Sequence, residues 1–135
     1  MICMMIKFIK EHWKSLVWAA IIMILCGLPG DDLNKVKLIN IPYFDKFVHW
    51  SLYFVFALFL ISENNSQRKI GEVTYNAILI AAIISISYGA LIEILQKFVF
   101  IHRGAEIWDE VANTLGFLVA AISYRLVNRI TDKYI

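Results

Sequence analysis

Between Tyr88 and Gly116 the chain reads YGALIEILQKFVFIHRGAEIWDEVANTLG, and this stretch holds most of the side chains with chemistry to offer. Glu93, Gln96, Arg103, Glu106, Asp109 and Asn113 lie within it, flanked and interrupted by apolar runs. Gly89, Glu93 and Gln96 are spaced i, i+4, i+7, and so are Asp109, Asn113 and Gly116. At about 3.6 residues per turn each trio falls on one helical face. Two helices carrying such stripes, joined by a short turn, can face each other around a small polar pocket.

Within that pocket Glu93 carries the sharpest signal. A carboxylate in an apolar span is costly, and such residues face a bundle interior or a water-filled cavity. Glu93 is therefore a candidate proton carrier; the plainer reading pairs it with Lys97, at i+4 on the same helix. Gln96 either orients a ligand from the same stripe or bonds between helices. Asp45 and His49, further upstream, also share a face at i, i+4. A carboxylate beside an imidazole fixes its tautomer and raises its basicity, as general bases and metal ligands require. Equally, Asp45 can be a plain helix N-cap and His49 an interfacial neighbour of Trp50. Arg103, in a His-Arg-Gly turn, can grip a phosphate or carboxylate in bidentate fashion or pair with Glu106 or Asp109. Asp109 and Asn113 repeat the ambiguity, one as cap and the other as an interhelical bond.

Other chemistries are poorly served. His102, His49, Asp45 and Glu93 could be assembled into a metal site, but no tight ligand motif such as HExxH is present and none is expected. No nucleophilic Ser–His–Asp motif, phosphate loop or dinucleotide fingerprint is visible, so no cofactor is expected either. Gly89 and Gly116 read as positions where helices pack closely. Cys3 and Cys26, the only two cysteines, make neither a disulfide framework nor a zinc site.

The elements that must position these groups follow from composition. The chain has 135 residues, enough for one domain, 1–135, and 60% of them are hydrophobic, against about 45–50% in soluble domains. A formal charge of +2 without a basic, aromatic-interleaved stripe argues against nucleic acid as a partner. Apolar segments predict four membrane helices, at about 13–28, 46–62, 73–98 and 107–127. The first, basic at its start and closed by Pro29-Gly30, has the outline of a signal peptide, but no small-x-small cleavage site follows. It is read as an uncleaved first span, short, with Trp13 and the lysines in the interface. Asp45 opens the second span, and Ser62–Glu72 is a hydrophilic linker.

The fold class expected is thus all-α, a bundle of four transmembrane helices. Four spans put both termini on one side, together with eight of the 13 Lys and Arg residues. By the positive-inside rule that side is the cytoplasm. Asp45, His49, Glu93, Gln96, Arg103, Asp109 and Asn113 then gather at the outer face. Asp45-Lys-Phe-Val-His49 and Asp109-Glu-Val-Ala-Asn113 also echo each other, as two hairpins related by an axis along the membrane normal would.

Asp45-Lys46 with His49 and Tyr53, Tyr88-Gly89 with Glu93 and Gln96, and Arg103, Asp109, Asn113 and Gly116 together resemble the VanZ-like family of small bacterial membrane proteins. The resemblance covers Asp45–Gly116, with the first span matching only as an apolar segment. It implies a multi-pass protein of the bacterial cytoplasmic membrane, in a family whose founding member is associated with resistance to the glycopeptide teicoplanin. The function expected is an extracytoplasmic polar site that binds or acts on an envelope lipid, a lipid-linked cell-wall precursor or an amphiphilic glycopeptide drug. Lys46 and Arg103 would hold an anionic group, Gln96 and Asn113 would orient it, and Asp45 would support the site. If a bond is broken, Glu93 and His49 would carry the proton, with Asp45 or Asp109 positioning them. The alternatives are a small proton-linked carrier or permeation path, and a purely structural cluster fastening the helices.

Overall fold

The computed structural model describes residues 2–28, 43–65, 75–100 and 106–134, with side chains as far as Val127 in the last stretch. These residues form five helices and no strand: α1 (Ile2–Glu11), α2 (Trp13–Gly27), α3 (Phe44–Asn65), α4 (Tyr75–Phe98) and α5 (Ile107–Tyr134). Arg103 and His102 lie outside the described residues.

α3, α4 and the Ile107–Val127 part of α5 are long and apolar enough to cross a membrane. α2 is equally apolar but has 15 residues. At about 1.5 Å per residue it is shorter than a hydrocarbon core of about 30 Å. Large apolar side chains such as Ile24, Ile83, Ile94, Leu118 and Ile122 point outward from the bundle. So much exposed hydrocarbon suits a lipid environment and would be an aggregation hazard in water. The chain is consistent with a helical membrane protein.

α3 is the central element. Its Leu52, Tyr53, Phe56, Ala57, Leu60 and Ile61 are the largest single contribution to the core, closed by Ile22 and Cys26 of α2, Ala81 and Ile92 of α4, and Phe117, Ala120 and Ala121 of α5. α3 and α5 run parallel and meet most closely at Gly116, where a Cβ would overlap the Trp50 carbonyl oxygen and crowd the Phe54 nitrogen. Only a glycine lets the two backbones approach so far. α2 and α4 also run parallel to each other. Tyr88 donates its hydroxyl to the Ala19 carbonyl at 2.7 Å, and Trp18 donates its indole N–H to the Leu52 carbonyl at 2.9 Å. These bonds tie the short α2 to both of its neighbours where no water is at hand.

Several boundaries differ from those expected. α3 continues past residue 62 to Asn65 because Glu63 is a structural residue, not the start of a linker. Its buried carboxylate accepts the backbone N–H groups of Lys14 at 2.9 Å and Ser15 at 3.3 Å. Those are orphan donors of α2's first turn, and His12, at the N-cap, supplies no side-chain bond to them. A negative group there also complements the helix dipole. Asp45 does not cap α3; it sits inside the first turn, preceded by Tyr43 in the left-handed region at φ 63° and by Phe44. α5 extends as one helix to Tyr134. The basic start of the chain is a separate amphipathic helix, α1, with no buried residue. Such a helix suits the membrane surface, its Lys7 and Lys10 in water and its Ile, Met and Phe side chains in the headgroup boundary.

Candidate functional site

The start of α3, the last turns of α4 and the start of α5 meet at one end of the bundle, and the polar side chains converge there. Lys46 is the hub of the rim. Its ammonium contacts the carboxylates of Asp45, Glu106 and Asp109, the last at 2.7 Å. Asp109 is 6% exposed and Lys46 therefore anchors a buried carboxylate rather than projecting free into solvent. Glu106, immediately before α5, donates its backbone N–H to Glu93 Oε2 at 3.0 Å. That bond ties the end of α4 to the start of α5.

One layer deeper lie His49, 5% exposed, and Asn113, 1% exposed. His49 Nδ1 is 3.2 Å from Asn113 Oδ1, and Asn113 Nδ2 donates to Glu110 Oε2 at 3.2 Å. An amide oxygen accepts, so His49 Nδ1 donates to Asn113 Oδ1 and Nε2 is turned toward Asp109 Oδ2, 3.8 Å away. At 3.8 Å no direct hydrogen bond joins them.

His49, Glu93 and Asp109, on three different helices, each place one ligand-type atom within 4.8 Å of the others. Glu93 Oε1, Glu110 Oε1 and the hydroxyl of Tyr53, one turn below His49, are buried without a hydrogen-bond partner. Tyr53 is fully buried. Gly89 faces the Glu110 side chain, and a Cβ there would overlap it.

Of the residues singled out by sequence, Asp45, Lys46, His49, Glu93, Asp109 and Asn113 come together. Gln96 does not join them. It is buried and donates to the Cys26 carbonyl at 3.2 Å, meeting an orphan acceptor in the last turn of α2. Lys97 turns to the ring of Phe98, 5.3 Å from its centroid, while Glu93 bonds across to Glu106. Tyr53, Glu106 and Glu110 belong to the cluster although the site expected from sequence gave them no role. Glu110 follows Glu106 by one turn and precedes Asn113 by three residues, a periodicity that marks it as facing the same interior.

Comparison with protein-family models, with curated proteins and with solved structures gives no match.

Proposed function

We propose that the chain is a VanZ-like protein of the bacterial cytoplasmic membrane whose polar recess, on the extracytoplasmic side, receives the headgroup of an envelope amphiphile. The ligand class is an envelope lipid, a lipid-linked cell-wall precursor or an amphiphilic glycopeptide. α2 to α5 make four passes, α2 by thinning the bilayer locally or by drawing Trp13 and its lysines into the interface. Both termini then lie in the cytoplasm, with α1 along the inner surface.

The observation that carries this reading is the convergence of His49, Glu93 and Asp109 from three helices beneath the Lys46 ammonium. Ionisable groups at that depth are expensive, and the usual return on the cost is a pathway or a site. A shallow depression on α5 is lined by Ile107, Glu110, Val111, Thr114 and Leu115, largely apolar side chains beside one carboxylate. It suits a molecule with an apolar tail and a polar head. The arrangement offers less to a permeation path. Below Tyr53 the interior is closed by Phe56, Ala57, Leu60, Ile61, Phe117 and Ala120, with Ser85 the one polar group of that layer among the described core residues.

The test is to extract the protein with its surrounding bilayer and identify by mass spectrometry which amphiphile is enriched over bulk lipid. Enrichment that falls in Lys46→Ala and in Glu93→Gln, at equal amounts of folded protein, supports a headgroup site. Lipid composition identical to bulk membrane in the unsubstituted protein would remove the proposal.

A further inference from the structure

We infer that His49, Glu93 and Asp109 form a binding site for a divalent first-row metal cation, with Zn2+ and Mn2+ as the chemical class. Three observations independent of the acidic character of the cluster lead there. The first is the orientation of His49. Asn113 Oδ1 engages Nδ1, which turns Nε2 toward Asp109 Oδ2 across 3.8 Å. That gap is too long for a direct hydrogen bond, and a cation seated in it would bridge the two atoms. A ring N–H donated outward to an amide or carboxylate is also how metal-bound histidines are oriented.

The second observation concerns Asp109. Its Oδ1 is held by Lys46 at 2.7 Å, which fixes the plane of the carboxylate and leaves Oδ2 for the centre of the cluster. The third is the set of buried acceptors that face no donor, Glu93 Oε1 and Glu110 Oε1, together with the Tyr53 hydroxyl, fully buried and unpartnered one turn below His49. Buried oxygens without partners cost about 1–3 kcal/mol each, and a cation with its bound water would satisfy them together.

Geometry and chemistry both permit the assignment. Metal–ligand distances of about 2.0–2.2 Å place the ligand atoms of a tetrahedral site about 3.4 Å apart. The three atoms lie within 4.8 Å of one another, so side-chain movements of about 1 Å would close the site. One imidazole nitrogen and two carboxylate oxygens suit Zn2+ or Mn2+ better than soft-ligand metals. Three protein ligands leave coordination positions open.

A consequence rests on the reading of the recess as a headgroup site. Among the described residues around it, Asp45, Glu93, Glu106, Asp109 and Glu110 outnumber Lys46, whose ammonium is already taken up by three carboxylates. A phosphate group of an envelope lipid would be repelled by the bare cluster, whereas a bound cation would offer one of its oxygens an open coordination position.

The experiment uses the full chain in lipid nanodiscs, stripped with chelator and reloaded with Zn2+, Mn2+ or Mg2+. One equivalent of Zn2+ or Mn2+ per chain, retained through gel filtration and absent with Mg2+, is the expected result. Mn2+ bound to the unsubstituted protein should show 14N modulation in pulsed EPR, which reports the imidazole without any substitution. Glu93→Gln and His49→Ala should each lower affinity at least tenfold, and Glu63→Gln, at the other end of the bundle, should leave it unchanged. No retained metal in the unsubstituted protein, or Mn2+ without nitrogen coupling, overturns the inference; so does equal binding by Glu93→Gln and His49→Ala. Metal bound without any enriched lipid would keep the cation site and remove the headgroup reading, and enriched lipid without metal would do the reverse.

Discussion

His49 Nδ1 and Asn113 Oδ1 meet at 3.2 Å, across two parallel helices and 64 positions apart in sequence. The same offset separates Asp45 from Asp109, two of the three acidic residues that contact Lys46 among the described residues. Parallel helices packed about an axis along their own direction bring equivalent positions face to face. The short echo between the two D-x-x-x-polar segments is therefore also a contact register. It does not extend to α2 and α4, where Ala19 meets Tyr88 and Cys26 meets Gln96 at offsets of 69 and 70. The likeness between the two hairpins is local to the recess.

Asn113 is the pivot of that register, and its removal should be felt on both sides. Asn113→Leu leaves the buried His49 Nδ1–H without an acceptor and the half-buried Glu110 without its amide donor. The expected cost is about 1–3 kcal/mol, seen as a lower midpoint in thermal or denaturant unfolding in detergent. Asn113→Asp keeps an acceptor for His49 but sets a second carboxylate against Glu110, and should destabilise as well. A midpoint unchanged in both variants would mean that the His49–Asn113–Glu110 chain is not closed in the membrane.

Gly116 and Gly89 look alike in sequence, yet the structure separates them. A Cβ at Gly116 meets the backbone of Trp50 and Phe54, which cannot give way without parting α3 from α5. A Cβ at Gly89 meets only the end of the Glu110 side chain, which can turn aside. Alanine is favoured over glycine in a helix by about 1 kcal/mol, whereas overpacking a fixed core costs about 1–3 kcal/mol. Gly116→Ala should therefore unfold at clearly lower temperature, and Gly89→Ala should stay within a few degrees of the unsubstituted protein while disturbing the recess. Equal losses in the two would contradict the close α3–α5 crossing.

The apolar runs made α2 to α5 legible, and i, i+4 spacing was enough to bring Glu93, His49 and Asp109 onto interior faces. Gln96 escaped that logic because three residues turn a helix by about 300°. It lies about 60° from Glu93, far enough to face α2 instead of α5. Glu63 escaped for a different reason. It sits in a polar-looking stretch, S-E-N-N-S, although it continues the buried face of Tyr53, Phe56 and Leu60 at helical spacing. What it serves is a helix start some 48 positions earlier that has no cap of its own, and such a long-range need is not written in any local pattern. The metal-type grouping is hidden likewise, since its three ligands come from three helices and match no linear motif.

The orientation of the bundle can be read from Cys3, which is exposed on α1, while Cys26 is buried in the core. With the termini in the cytoplasm, a membrane-impermeant maleimide should label Cys3 only after the membrane is opened. A cysteine placed at Glu106, on the rim of the recess, should be labelled in intact cells in a Cys3→Ser background. The opposite pattern would put the recess in the cytoplasm and remove envelope ligands from consideration.

Glu63 gives the last prediction, one that separates structure from function at opposite ends of the same helix. Its carboxylate holds the Lys14 and Ser15 N–H groups, and capping interactions of this kind are worth about 0.5–2 kcal/mol. Glu63→Leu removes the acceptor and the negative charge together, so the start of α2 should fray. Glu63→Gln keeps an acceptor oxygen and loses only the charge, so its effect should be the smaller. Hydrogen exchange read by mass spectrometry on peptides covering 12–18 should accelerate in the order Gln, then Leu, while exchange around 106–116 stays unchanged. Because the Cys26 carbonyl that accepts from Gln96 lies some 11 positions beyond Ser15 on α2, a frayed start need not disturb the far end. If exchange at 12–18 were the same in all three proteins, Glu63 would not be the group that starts α2.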